Sequence, residues 1–249
     1  MRFSPLRQGA FTLIEMAMVL LIVGLLLNGL FVALGSSNDS RQRSEASAQL
    51  QQIEEALYGF AQANGRLPCP ATAAAPGGQE SPAGGGVCAS VNGFVPAATL
   101  GLQGAVDNLG LLLDPWGRPY RYSVSALLRA GVPVFTNAAA MRAQFAAGPL
   151  PSGTPLLCVA ETAGCLAALT PLTNSAPAVV FSVGKSPNVA SALEAENAGA
   201  TVAGFPMPND VEFVSAVYAE EGANAYDDIL IWLSSNILVT RMISAGQLP

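Results

Sequence analysis

The feature that most constrains this chain is an uninterrupted apolar stretch at residues 11–35, FTLIEMAMVLLIVGLLLNGLFVALG, whose one ionisable side chain is Glu15. A helix of that length measures roughly 37 Å at about 1.5 Å per residue and exceeds a bilayer core of about 30 Å. Ahead of it, residues 1–10 carry Arg2 and Arg7 and no acid. That charge bias predicts a cytoplasmic amino terminus and an exported remainder. Glu15 is the anomaly. A carboxylate in hydrocarbon costs about 2.5–3.5 kcal/mol even on lenient insertion scales, and nothing cationic in the stretch can pair with it.

Composition narrows the rest. A chain of 249 residues suits one exported domain of about 200 residues beside that helix. Charged residues are 11% and the net charge is −6, with no basic tract beyond the leader, so nucleic-acid binding through phosphates is not expected. The chain has no His, which removes the commonest general base and metal ligand and most hydrolase schemes. No nucleophile–base pair stands out, and the chain is not expected to be an enzyme. The four cysteines form two sequence-adjacent pairs, Cys69 with Cys88 and Cys158 with Cys165. In an oxidising compartment an even count reads as disulfides. Zinc is the rival, with spacings that match no ligand knuckle. Sequential pairing is expected because each pair flanks a loop-like stretch, among three connectivities.

The string Gly9-Ala10-Phe11-Thr12-Leu13-Ile14-Glu15 resembles the processing signal of type IV prepilins and type II secretion pseudopilins. The resemblance implies cleavage before Phe11 by a prepilin peptidase and methylation of the new amine. It also implies pairing of Glu15 with the terminal amine of a neighbouring subunit during filament assembly. Ala10 stands where the family usually has Gly. A secretory signal or a generic anchor are the plainer readings, but a secretory signal has a shorter apolar core and neither accounts for Glu15.

Residues 36–64 turn polar and keep a helical rhythm, with Ala46, Leu50, Ile53, Leu57 and Phe60 on one face and Arg41, Arg43, Glu45, Gln51, Gln52 and Glu55 on the other. They are expected to continue the first helix, with a hinge at Gly35-Ser36-Ser37 as the alternative. Gly65 should stop the helix, and Pro68 and Pro70 prevent its return. The Gly-rich 71–86 stretch reads as a surface loop, since no Lys-Ser or Lys-Thr follows its glycines as a phosphate cradle would need. The Asp114-Pro115-Trp116-Gly117 turn should hand over to a strand at 120–124, with Asp114 accepting backbone donors. Asn137 is a cap for a helix to Ala147. Further strands are expected at 156–160, 178–183 and 211–218, a loop at 184–204, and a last helix at 237–243 behind a Ser234-Ser235-Asn236 cap.

The Asp114–Tyr120 string, Phe181-Ser182-Val183-Gly184 and Asp227-Asp228-Ile229 with Trp232 also resemble major pseudopilins. Their acids near this place help hold calcium, so Asp227 and Asp228 are candidate ligands, although two adjacent acids supply few of its six to eight oxygens. Otherwise no cofactor is expected, and Asp227 only caps a turn.

The expected architecture is α+β and pilin-like. A long N-terminal helix, membrane-spanning in its first half and amphipathic in its second, packs on a small antiparallel β-sheet head with a short C-terminal helix. Its parts are a cleaved leader 1–10, a transmembrane helix 11–35, an amphipathic continuation 36–64 and a periplasmic head 65–249. The expected location is the inner membrane as a single-pass protein, then a pilus or pseudopilus. The expected function is a structural subunit assembling into a type II secretion pseudopilus. The alternatives are a minor pilin that primes a type IV pilus or mediates adhesion or uptake, and a membrane-anchored binding module. Expected partners are other pilin or pseudopilin subunits, the prepilin peptidase, an inner-membrane assembly platform and the membrane itself.

Overall fold

Apolar side chains at 46, 50, 53, 57 and 61 recur at the period of an α-helix, and in the computed structural model Ala46, Leu50, Ile53, Leu57 and Ala61 are all buried. The structure describes residues 12–75, 77–150, 156–165, 171–186, 191–198, 200–202, 205–207 and 211–249, without the side chains of 25–37, 200–202 and 205–207. Helix α1 is Leu13–Asn64. It ends where Gly65 takes a φ of +71° and donates its N–H to Ala61, a left-handed stop that glycine adopts without steric cost. Phe60 is not on the buried stripe as expected. It is half-buried, with the Arg66 guanidinium 5.1 Å from its ring centroid, and Tyr58 is buried instead.

The chain divides into two compact units, Met1–Gln42 and Arg43–Pro249. Within the first, the expected pilin-like fold with a membrane-spanning half is corrected. Among the described residues no helix is long and apolar enough to cross a membrane. The expected single-pass inner-membrane location, with a cytoplasmic amino terminus and a periplasmic head, is therefore also not supported.

The second unit departs from expectation as well, holding several sheets instead of one small antiparallel one. After β1 (Asn92–Phe94), a one-turn α2 (Ala97–Leu100) and β2 (Arg121–Val124) come a small hairpin, β3 (Leu128–Arg129) with β4 (Val132–Pro133), and α3 (Ala138–Ala146). Asn137 caps α3 by accepting the Ala140 N–H at 2.9 Å. Strands β5 (Leu157–Ala160), β6 (Thr173–Ala176) and β7 (Ala178–Ser182) follow, then α4 (Ala192–Ala198), which lies in the stretch expected to be loop. The chain ends with β8 (Ala200–Val202), β9 (Phe205–Met207), β10 (Glu212–Val214), β11 (Ile229–Trp232) and α5 (Ser235–Ser244).

The main sheet runs β1-β2-β7-β11, antiparallel throughout. Alternation along β7 explains why it reads as a solid apolar run. Ala178 and Val180 join Tyr122, Val124 and the α1 stripe in one core, while Val179 and Phe181 join Leu157, Val159 and Phe213 in a second. Both faces of this sheet are therefore covered, as strands without polar alternation require. The second core lies against a three-stranded sheet, β10-β5-β6, in which β10 pairs parallel with β5. Phe181 and Phe213 meet edge to face with centroids 6.0 Å apart. The expected strand 211–218 shrinks to β10, and Val217 beyond it is 86% exposed. Ser234 caps α5, whose Leu238 and Met242 enter the first core.

Cys69 bonds Cys88 and Cys158 bonds Cys165. The 71–86 stretch is anchored more firmly than a surface loop. Glu80, buried, receives both terminal nitrogens of Arg66 at 2.7 Å and the N–H groups of Cys69 and Gly84 at 3.1 and 3.0 Å. Burial alone would raise the Glu80 carboxyl, but Arg66 and those amides outweigh it and hold it below the ordinary value. This contribution to stability is complete above the ordinary carboxylate range and is lost as pH falls through the depressed value. Glu80→Ala is expected to cost about 3 kcal/mol, because it strands Arg66 in the interior. Glu55→Ala, which breaks the exposed pair with Arg241, should cost at most about 1 kcal/mol. Urea unfolding of the two variants at neutral pH checks the contrast.

Candidate functional site

Of the residues singled out at the amino terminus, Gly9, Ala10 and Phe11 lie outside the described residues. Glu15 is exposed and engaged locally. Its Oε2 accepts the Thr12 N–H and hydroxyl, both at 3.0 Å, while Thr12 Oγ1 accepts the Glu15 N–H at 3.3 Å. This reciprocal arrangement is a capping box, satisfying backbone donors that the first turn of a helix leaves open. Behind it Leu13, Ile14, Met16, Met18, Val19, Leu20, Leu21, Ile22 and Val23 are all large, apolar and 43–89% exposed.

The second place is built in the other unit around Asp114. Its Oδ1 accepts the N–H groups of Trp116 and Arg118 at 3.0 and 2.8 Å, closing the Asp114-Pro115-Trp116-Gly117 turn as expected. Its Oδ2 accepts the Ser182 hydroxyl at 2.5 Å at the end of β7. Two residues on, Gly184 has a φ of +65°, and a Cβ there would run into the Asp227 backbone and carboxylate. Asp227 Oδ2 accepts the Ser186 N–H at 2.6 Å, while its Oδ1 is buried with no hydrogen-bond partner among the described residues. Trp232, at the end of β11, packs on the second core.

Asp228 is held by Asn197 of α4, whose Nδ2 donates to Asp228 Oδ2 at 2.8 Å and to the Val214 carbonyl at 2.9 Å. The same side chain's Oδ1 accepts the Val214 N–H at 2.8 Å, and Tyr226 donates its hydroxyl to the Val214 carbonyl at 2.6 Å. Glu194 of α4 is also buried. A cleft of about 270 Å³ opens here, lined by Lys185, Ser186, Glu194, Tyr218, Ala219, Glu220 and Asp227. Lys185 pairs with Glu220 at 3.6 Å, and the Arg43 guanidinium lies 3.6 Å from the Tyr218 ring centroid.

Calcium would need about six to eight oxygens. Asp228 is committed to Asn197 and one Asp227 oxygen to Ser186, and two nearby carbonyls, of Lys185 and Ser186, already accept from Arg118. Among the described residues no group of three or more His, Cys, Asp or Glu can hold a metal. Asp227 and Asp228 do not fit the expected calcium shell.

Sequence reasoning missed Arg66 with Glu80, Arg118 with the 183–186 loop, and Asn197 with Asp228 as partners. Single polar residues in loop-like stretches carry no periodic signal, and their partners lie 14–68 positions away. No family model, curated protein or solved structure matches the chain.

Burial pushes the Asp228 carboxyl up to about 8, with the charges of Asp227 and Glu194 adding to it and the Asn197 hydrogen bond opposing it. The folded chain therefore keeps this proton where the unfolded chain, with an ordinary value of about 3.9, has lost it. Stability should fall as pH rises between those two values and level off above the higher one. Asp228→Asn is expected to flatten that slope, melting above the parent at the alkaline end and level with it at the acid end. Thermal melts across the window check this.

Proposed function

We propose that this chain is a filament subunit of the type II pseudopilus or type IV pilus kind, joined to other subunits through its processed amino-terminal helix. The observation that carries the reading is the bare apolar surface of residues 13–23. Nine large apolar side chains point around the whole circumference of a helix, and all are exposed. A helix apolar all round is stable in water only when something covers it. Copies of the same helix, packed side by side in a filament core, are the occupant that the Gly9-Ala10-Phe11-Thr12-Leu13-Ile14-Glu15 string supports.

Glu15 then has two tasks. In its own chain it completes the Thr12 capping box. An ionised carboxylate has about four acceptor sites, so capacity remains for the Phe11 ammonium of a neighbour, a charge-assisted pair. A prepilin peptidase and an assembly platform are the partners this role requires.

Co-expression with a prepilin peptidase should yield a mature chain beginning at a methylated Phe11, read by mass spectrometry; an intact Met1 terminus would remove the basis of the proposal. Glu15→Leu should leave cleavage and the fold of the second unit unchanged while cross-linking between subunits falls about tenfold or more, the effect of losing one charge-assisted pair. Assembly equal to the parent would show that Glu15 serves only as a cap. A Glu15→Gln variant, which keeps cap geometry and loses the charge, separates the two tasks. Whether deletion abolishes protein secretion or pilus-dependent motility distinguishes the pseudopilus from the pilus.

A further inference from the structure

The loop at 183–186 leaves β7 and closes on Asp227, and its backbone is pinned from two sides. From one side, Arg118 donates Nη2 to the Lys185 carbonyl at 2.7 Å and Nη1 to the carbonyls of Ser186 and, at 3.5 Å, Val183. From the other, Asp227 takes the Ser186 N–H, and Ser182 Oγ takes the Gly184 N–H at 3.1 Å. Three carbonyls of one short loop thus converge on one positive charge. A hard metal ion gathers loop carbonyls in the same way, and a guanidinium can do it because its donors form a rigid planar fork.

We propose that Arg118 is the built-in cation of this loop, doing with a side chain what a divalent ion would do, so that the fold of this unit is independent of calcium. Arg118 is suited to the role because its own backbone is already held. Its N–H is bonded to Asp114, whose other oxygen holds Ser182, so turn, guanidinium and loop form one closed circuit. The charge balance agrees. Asp114 and Asp227 are buried carboxyls around the circuit, and Arg118 supplies positive charge that draws the Asp114 carboxyl down, against the burial that raises it.

The test uses the whole chain. Thermal melts of the parent are compared in millimolar calcium and in chelator, and amide hydrogen exchange is followed in the parent, Arg118→Gln and Arg118→Lys. The parent is expected to melt at one temperature in both solutions. Arg118→Gln should melt about 2–4 °C lower and exchange the Gly184 and Ser186 amides at least tenfold faster, with β2 and β7 interior amides unchanged. Arg118→Lys keeps a charge without the fork and should fall between the two. A parent stabilised by calcium overturns the proposal, as does an Arg118→Gln chain whose loop exchanges as slowly as the parent's. If Arg118→Gln fails to fold, the calcium comparison on the parent and the exchange of Arg118→Lys decide the matter by the same criteria.

Discussion

One stripe of α1 organises the second unit. Leu50, Ile53, Leu57, Tyr58 and Ala61 pack with Tyr120, Tyr122, Val124, Val180, Leu238 and Met242 in a single core. At about 1.5–3 kcal/mol for each large apolar side chain, this burial is the main source of stability. Everything else is arranged around keeping that contact. The main sheet presents alternate residues of β2 and β7 to the helix, and α5 closes the same core. Tyr58 links the two helices by accepting the Ser234 N–H at the start of α5.

Covering one face of the sheet leaves the other apolar as well, because β7 has no polar alternation. The β10-β5-β6 sheet answers that need through Phe181 and Phe213. Long connections then have to cross the surface, and the chain has few charges with which to fix them. It places several of those charges inside. Arg66 with Glu80 holds the segment tied by Cys69 and Cys88, while Asp114, Arg118 and Asp227 hold the loop after β7. Each buried carboxyl costs desolvation and is retained where it organises several backbone groups at once.

The first unit obeys different physics. Its described large apolar side chains at 13–23 are all exposed, and the Thr12–Glu15 cap closes its amino-terminal turn. A segment of this composition gains its stability from association, which is why its proposed role is assembly while the second unit is a conventionally packed fold.

The sequence by itself determined what depends on neighbours within a few residues. The α1 stripe, the Gly65 stop, the Asn137 and Ser234 caps and the Asp114 turn are all set by helical periodicity or by a side chain bonding backbone two to four positions away. The β-branched run at β7 and the two short-range disulfides belong with them. The tertiary structure decided what depends on position in space. Several small sheets replace the single antiparallel sheet, β10 pairs parallel to β5, and α4 occupies a stretch read as loop because its seven residues show no clear amphipathic period. Asn197 finds Asp228, Glu80 finds Arg66, and Arg118 gathers carbonyls 65–68 residues away. Those partners are fixed only once the core has packed, because a buried polar group bonds whatever donor or acceptor the completed fold brings within about 3 Å.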